Sequence, residues 1–203
     1  MRFFFTLTFL VFSHSAIAQV AYRKYAIKVV GIKVGELIAS KSTTKEQEIK
    51  YTLSSKVDVN FLVYHLLVDY KVTSKFQGQS MYFSEVNVKS NRGNFNTKTH
   101  KVSDGYKLSS VQPKKEIEKT LKTSIHNTFS SIHFHEPLGV SKVYAEFYGD
   151  FIQIKHLGNH KYSGILDDNV DEYYYENGLL IKAVKKNPIT DMVIVFEDSW
   201  VAE

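Results

Sequence analysis

Tyr25-Ala26-Ile27-Lys28-Val29-Val30-Gly31-Ile32-Lys33-Val34-Gly35-Glu36-Leu37 carries the alternation on which the fold turns. Tyr25, Ile27 and Val29 fall on one side of an extended backbone, with Lys24 and Lys28 on the other. That is the two-residue period of a half-buried strand. Gly31 interrupts the run, and a second strand-like stretch follows over residues 33–40. Gly35 lies inside it and reads as a bend or bulge.

The same pattern recurs to the C-terminus. Strand-like runs cover residues 51–59, 81–88, 95–102, 106–111, 151–156, 162–166, 171–175, 179–184 and 192–196. Between them stand Gly78, Arg92-Gly93, Asp104-Gly105, Gly158-Asn159 and Asn177-Gly178, residues that supply the positive φ angles of tight hairpins. Short strands at such regular spacing predict a mainly β fold: one curved antiparallel sheet forming a β-roll or half-open barrel. Three prolines in 203 residues, with no Pro/Gly/Ser-rich tract, argue for a single domain over residues 19–203.

Two stretches depart from this pattern. In residues 61–68 the apolar phase moves from odd positions (Val57, Val59, Phe61, Val63) to even ones (Val68, Tyr70, Val72). A bulge, a corner or a short helical turn would produce that switch, either packed in the core or exposed as an apolar lip. In residues 114–134, Ile117, Leu121, Ile125 and Phe129 recur every four positions. That spacing predicts one short helix ending before Glu136-Pro137 and laid across the sheet.

The N-terminus has an address of its own. Arg2, the apolar run 3–12 and Ala16-Ile17-Ala18 follow the order of a cleavable export signal, so residues 1–18 are expected to be removed. The apolar run is about half the roughly 20 residues that span a bilayer. The chain has no cysteine. Disulfides, thiolate chemistry, Cys-ligated zinc and a lipid-modified cysteine are therefore all excluded. The expected mature protein lies in the periplasm or outside the cell, with no lipid anchor and no transmembrane segment.

Removing residues 1–18 from the 203-residue chain leaves 185, and the net charge falls from +5 to +4 with the loss of Arg2. The lysines are scattered among acidic residues rather than gathered on a helix, which argues against a nucleic-acid partner. The positive excess suits solubility or contact with anionic envelope polymers. All 13 tyrosines lie beyond residue 18. Tyrosine fits half-buried sheet positions, with its ring inward and its hydroxyl near water.

Signals of catalysis are sparse. There is no G-x-S-x-G elbow, H-E-x-x-H helix, Walker loop or G-x-G-x-x-G turn. His133 and His135 would project to one side of an extended backbone, as metal-binding imidazoles can. His126, His156 and His160 lie nearby in sequence, but no third ligand is fixed by spacing. Glu136, Glu146 and Asp150 could supply a carboxylate pair for hydrolysis. Asp167-Asp168-Asn169 lacks the glycine and distant glutamate of a calcium loop and reads as a hairpin turn. Tyr173-Tyr174-Tyr175 puts aromatics on both faces of one strand, for packing or for sugar or lipid contact.

The segment 25–37, Glu136-Pro137-Leu138-Gly139, Tyr148-Gly149-Asp150-Phe151 and the run 171–179 together resemble uncharacterised exported envelope proteins grouped under domains of unknown function. The likeness covers nearly all of the chain beyond residue 18. It implies a curved antiparallel β-roll and an envelope location, with no reaction, cofactor or catalytic residue attached. The shape is similar to half-open barrels that carry lipids or lipoproteins.

The expected function is therefore non-enzymatic: a curved sheet holding a hydrophobic or amphipathic ligand, with a lipid or an envelope protein as partner. One alternative is an assembly module acting through sheet edges by strand addition. Another is a metal-dependent hydrolase built on His133, His135 and Glu136. The N-terminal reading is tested directly by sequencing protein recovered from the exporting cell. Its first residue is expected to be Gln19, and recovery of chain still bearing residues 1–18 would overturn the cleavage.

Overall fold

The computed structural model describes residues 19–61, 64–186 and 190–202. The export signal expected at residues 1–18 lies outside them. Among the described residues, fourteen strands form one antiparallel sheet that does not close on itself. They are β1 (Val20–Val29), β2 (Ile32–Thr43), β3 (Glu48–Phe61), β4 (Tyr64–Gln77), β5 (Ser80–Ser90), β6 (Phe95–Val102), β7 (Gly105–Gln112), β8 (Lys115–Leu121), β9 (Lys142–Ala145), β10 (Asp150–Gly158), β11 (Lys161–Leu166), β12 (Asn169–Glu176), β13 (Leu179–Lys185) and β14 (Met192–Ala202).

The order across the sheet is 8-7-6-5-4-3-2-1-14-13-12-11-10-9. Sequence neighbours pair throughout, except β8 and β9, and the first and last strands pair with each other in mid-sheet. The edges are thus β8 and β9, and the sheet bends until they approach. The Lys119 ammonium on β8 meets the Asp150 carboxylate on β10 at 2.6 Å, and the Thr99 hydroxyl on β6 meets that of Tyr144 on β9 at 2.8 Å. Side chains, not a backbone ladder, span the gap.

The hairpins follow the sequence signals. Asn177 and Gly178 have φ of 50° and 75° between paired residues Glu176 and Leu179. Both angles positive is the two-residue hairpin turn whose twist matches that of the strands. Asp167 and Asp168 join β11 to β12 in another two-residue turn, with a positive φ at Asp167 alone (51°). Gly35 sits beside a register shift between Ile27 and Lys28. A Cβ at Gly35 would lie 2.3 Å from the Lys56 carbonyl, so two backbones approach here as only glycine allows.

The phase switch in residues 61–68 has a simpler cause than a bulge, corner or helical turn: the chain reverses. Phe61 pairs with Tyr64 and Val57 with Val68. In that register odd residues of β3 stand opposite even residues of β4, and partners share a face. Leu62 and Val63 lie outside the described residues.

The four-residue stripe in 114–134 is not helical. Ile117 and Leu121 lie on β8, while Ile125 and Phe129 lie on the connection between β8 and β9. A spacing of four also satisfies the strand period of two, so the stripe fits both. The helix in this window is a single 3₁₀ turn, Ser131–His133. The connection runs through the inside of the curved sheet: Ile125, Thr128, Ser130, Ser131, Ile132 and His133 are all at most 1% exposed. Asn127 and Phe129 hydrogen-bond across to Tyr144 of β9. The Met81 amide at the start of β5 donates to the Ile125 carbonyl at 2.9 Å.

One strained turn yields a prediction. Val30 is 71% exposed and holds φ 49° beside Gly31 at 77°. A β-branched residue in the left-handed region costs about 1–2 kcal/mol, which asparagine largely avoids. Val30→Asn is expected to stabilise the fold by about 1 kcal/mol, raising Tm by roughly 2–4 °C. Calorimetry of the two proteins checks it, and an unchanged or lower Tm would contradict the strain.

Candidate functional site

Of the residues singled out above, His126, His133, His135 and Glu136 lie on the buried connection. Its polar groups are met by tyrosines reaching inward from the sheet. The Tyr175 hydroxyl on β12 donates to the Ile132 carbonyl at 3.0 Å. Tyr25 on β1 donates to the His133 carbonyl at 3.5 Å, and the Arg23 guanidinium donates to the same oxygen. Tyr106 on β7 donates to the Met81 carbonyl at 2.6 Å and accepts from the Ile125 amide at 3.5 Å. These hydroxyls do not face water. Burial pushes Tyr25 up to about 12, against a downward pull from Arg23, and raises Tyr175 well above the ordinary phenol range.

Glu146, 2% exposed, acts as an interior clasp. Its Oε1 accepts from the Ser130 hydroxyl at 2.6 Å, the Ser74 hydroxyl at 2.7 Å and the Ser130 amide at 3.2 Å. Glu136 is held elsewhere. Its Oε1 accepts from the Tyr162 hydroxyl at 2.7 Å and pairs with His160 at 3.0 Å. Burial pushes the Glu136 carboxyl upward, but the Tyr162 and His160 contacts outweigh it and the net direction is down. Asp150 is lowered chiefly by its hydrogen bond from Lys119. The three carboxylates serve three separate sets of partners, so the sequence neighbours do not form a catalytic pair.

The two central histidines also part company. Residues 131–133 are a 3₁₀ turn rather than extended chain, so the side-by-side projection expected for His133 and His135 does not arise. The His133 Nδ1–H donates to the Phe129 carbonyl at 3.0 Å. Its ring packs edge-on against Tyr25 and Phe129. His135 Nε2 lies 3.3 Å from the Asn127 side chain, and His126 Nδ1 donates to the Gln79 carbonyl. His156 packs at a tilt against Tyr162. Among the described residues no three His, Asp or Glu side chains are grouped to hold a metal. In the tyrosine run, Tyr173 and Tyr175 are buried, while Tyr174 faces outward under Lys161 and Lys182.

A concavity lies at the end of the sheet that bears the β1–β2, β3–β4 and β5–β6 turns. It encloses about 560 Å³. Val34, Val57, Leu67 and Val68 make its apolar part, and Lys56, Asp58, Asp69 and Lys89 surround them. Val34 reaches it through the bulge beside Gly35, while Val57 and Val68 face each other across β3 and β4. Asn91 braces the rim: its side chain accepts from the Leu67 amide at 3.1 Å and donates to the His65 carbonyl at 2.9 Å. Of the 61–68 segment singled out in the sequence, Leu67 and Val68 line the concavity. Val34, Lys89 and Asn91 enter through pairings that join distant stretches.

A family model described as a domain of unknown function, DUF6134, matches residues 25–197. The chain belongs to the DUF6134 family. No curated protein matches it at a significant level. Among solved structures it is similar to the beta-barrel-like protein of domain of unknown function DUF1849 from Brucella abortus, with a TM-score of 0.52 and 10% identity. The match covers 92% of this chain and 98% of that one. At that identity the likeness is one of fold. As a DUF6134 member with an unclosed, barrel-like sheet, the chain meets the expectation of a β-roll family. No helix among the described residues is long and apolar enough to cross a membrane.

His133 makes the interior pH-sensitive. Desolvation lowers its pKa from 6.5 to about 4, helped by Lys185 and Arg23 and opposed by the Phe129 hydrogen bond. The folded state therefore favours the neutral ring. That contribution is complete above pH 6.5 and is lost as pH falls from 6.5 through about 4, in all on the order of 3 kcal/mol. Replacing the ring by His133→Asn is expected to flatten the stability–pH profile in that window. Urea titrations across it provide the check, and parallel profiles for the two proteins would contradict the assignment.

Proposed function

We propose that this DUF6134 protein is an exported, non-enzymatic binding protein. Its ligand is an apolar or amphipathic chain seated in the open end of the half-barrel. Export rests on the signal read in residues 1–18. The binding reading rests on one observation, the concavity of about 560 Å³ with an apolar floor and a charged rim. Ligand sites are commonly clefts of roughly 300–1,000 Å³, apolar inside with a few polar groups to orient the occupant.

This moves the ligand from where the sequence put it. The concave face cannot serve, because residues 122–141 and two apolar clusters fill it. The end concavity is a place among the described residues where apolar side chains meet solvent at a recess. Leu67, 41% exposed, forms part of its wall.

Strand addition has less support. The free side of β9 is taken by the bridge from Thr128 to Tyr144. The other edge, β8, reads Lys-Glu-Ile-Glu-Lys-Thr-Leu, and charges at an edge discourage pairing. The hydrolase reading has lost its geometry, since its histidines and carboxylates point to different partners.

The test is a titration of purified protein, lacking residues 1–18, with a lysophospholipid and with a long-chain fatty acid, followed by native mass spectrometry. One bound molecule per chain is expected. Leu67→Asp, at an exposed position that spares the core, should weaken it at least tenfold. No bound molecule, or equal binding by a folded Leu67→Asp protein, would overturn the proposal.

A further inference from the structure

At the end of the sheet opposite the concavity, where the β2–β3 and β4–β5 turns lie, a smaller recess of about 250 Å³ opens between sheet and connection. Ile49 and Tyr51 of β3 and Phe76 of β4 form its sheet wall. His126, Asn127 and His135 form the wall on the connection. Among the described residues no carboxylate lines it.

Tyr51 sets this recess apart. The interior tyrosines of similar burial, Tyr25, Tyr106, Tyr144, Tyr162, Tyr173 and Tyr175, each engage the hydroxyl with a partner in the fold. Tyr51 is only 5% exposed, and its ring packs against Phe76 and Phe134. Yet its hydroxyl has no hydrogen-bond partner among the described residues, while no fully buried side-chain polar atom there goes unpaired. The hydroxyl therefore reaches the solvent of the recess. Burial raises its pKa, so it stays protonated and can donate.

The other polar groups follow from bonds already made. The Asn127 side-chain oxygen faces His135 Nε2 at 3.3 Å, which leaves the Asn127 amide N–H groups as donors. His126 gives its Nδ1–H to the Gln79 carbonyl at 2.9 Å. Each neutral imidazole thus keeps one bare lone pair, on Nε2 of His126 and Nδ1 of His135. The surrounding charge is positive. Lys41 stands opposite Tyr51 on β2, its ammonium 6.0 Å from the Tyr51 ring centre, and the Arg23 guanidinium of β1 lies over Phe134. Burial, then Lys41 and Arg23, hold His135 below the ordinary imidazole range. Glu136, next in sequence, is directed instead to Tyr162 and His160.

We infer that this recess binds a small monocarboxylate with a compact apolar body. The Tyr51 hydroxyl, the Asn127 amide and the Lys41 ammonium supply donors to two carboxylate oxygens, and bonds of this charge-assisted kind are the strong ones. Ile49, Phe76 and the Tyr51 ring take the apolar body. Size limits that body to a single ring or a short chain, since drug-sized sites begin at roughly 300 Å³. A phosphate carries more charge and more oxygens than these donors meet, and a cation finds no carboxylate. The bare imidazole nitrogens repel an anion until one is protonated, so binding takes up a proton. The groups facing His135 are Arg23 from β1, Lys41 from β2, Tyr51 from β3, and His126 and Asn127 from the connection. The recess is separate from the end concavity, and its test does not depend on that ligand.

The experiment is an NMR titration of isotopically labelled protein, lacking residues 1–18, with benzoate. Benzyl alcohol and benzylamine serve as neutral and cationic counterparts of similar size. Benzoate is expected to shift the amides of residues 49–51, 76–79 and 126–135, and to bind at least tenfold more tightly than either counterpart. Tyr51→Phe keeps the ring and removes only a hydroxyl that the fold does not use. Its Tm should match the parent's, while benzoate binds about tenfold more weakly. Affinity for benzoate should rise between about pH 8 and about pH 5.5, and His135→Gln should flatten that rise. No shifts, shifts confined to the end concavity, equal binding of the alcohol or the amine, unchanged affinity in Tyr51→Phe, or no gain on acidification would each overturn the inference.

Discussion

A polypeptide segment buried inside a curved sheet brings its backbone amides and carbonyls with it, and each must find a partner away from water. Residues 122–141 impose that constraint on this fold. The solution is tyrosine. A ring of that size fills the space between sheet and connection, and its hydroxyl reaches the carbonyls of Met81, Ile132 and His133. Glu146, itself held by the Ser74 hydroxyl, does the same for the Ser130 amide. Among the described residues no buried side-chain polar atom is left without a partner. The tyrosine surplus is thus an interior adhesive rather than a water-facing surface.

The same constraint decides where a ligand can sit. A half-open barrel with an empty concave face would hold an apolar molecule in its middle. Here that volume belongs to the chain's own connection, and recesses remain only beside it and at the ends. The edges, too, are governed by the crossing. By hydrogen-bonding to β9 it covers one of them, and the Lys119–Asp150 pair bridges toward the other. The sheet stays unclosed without leaving two free templates for pairing.

Much of the architecture was legible in residue order. Asn177-Gly178, Asp167-Asp168 and Gly31 marked hairpins because the turn geometry is local. The run 95–102 coincides with β6. The misreadings also have local causes. The stripe Ile117–Leu121–Ile125–Phe129 fits periods of both two and four, and only its surroundings separate strand from irregular chain. The phase switch near residue 62 recorded a reversal, but odd-to-even switching is shared by bulges and hairpins. The strand β9, four residues long, is too short to show a period. The sites were less legible still. His133 and His135 looked paired because two residues apart on a strand share a face, and the 3₁₀ turn removes that premise.

The order of residues alone determined that this is a β protein without disulfides, built of consecutive hairpins around glycine and asparagine turns. Alternation and turn chemistry act over a few residues, so they survive without knowledge of the whole. Tertiary structure decided which segment fills the interior, which edge is covered, and which side chains line the recesses. Those outcomes depend on strand register and on the path of a twenty-residue connection. Both are set by interactions between residues as far apart as Arg23 and His133, which no local pattern encodes.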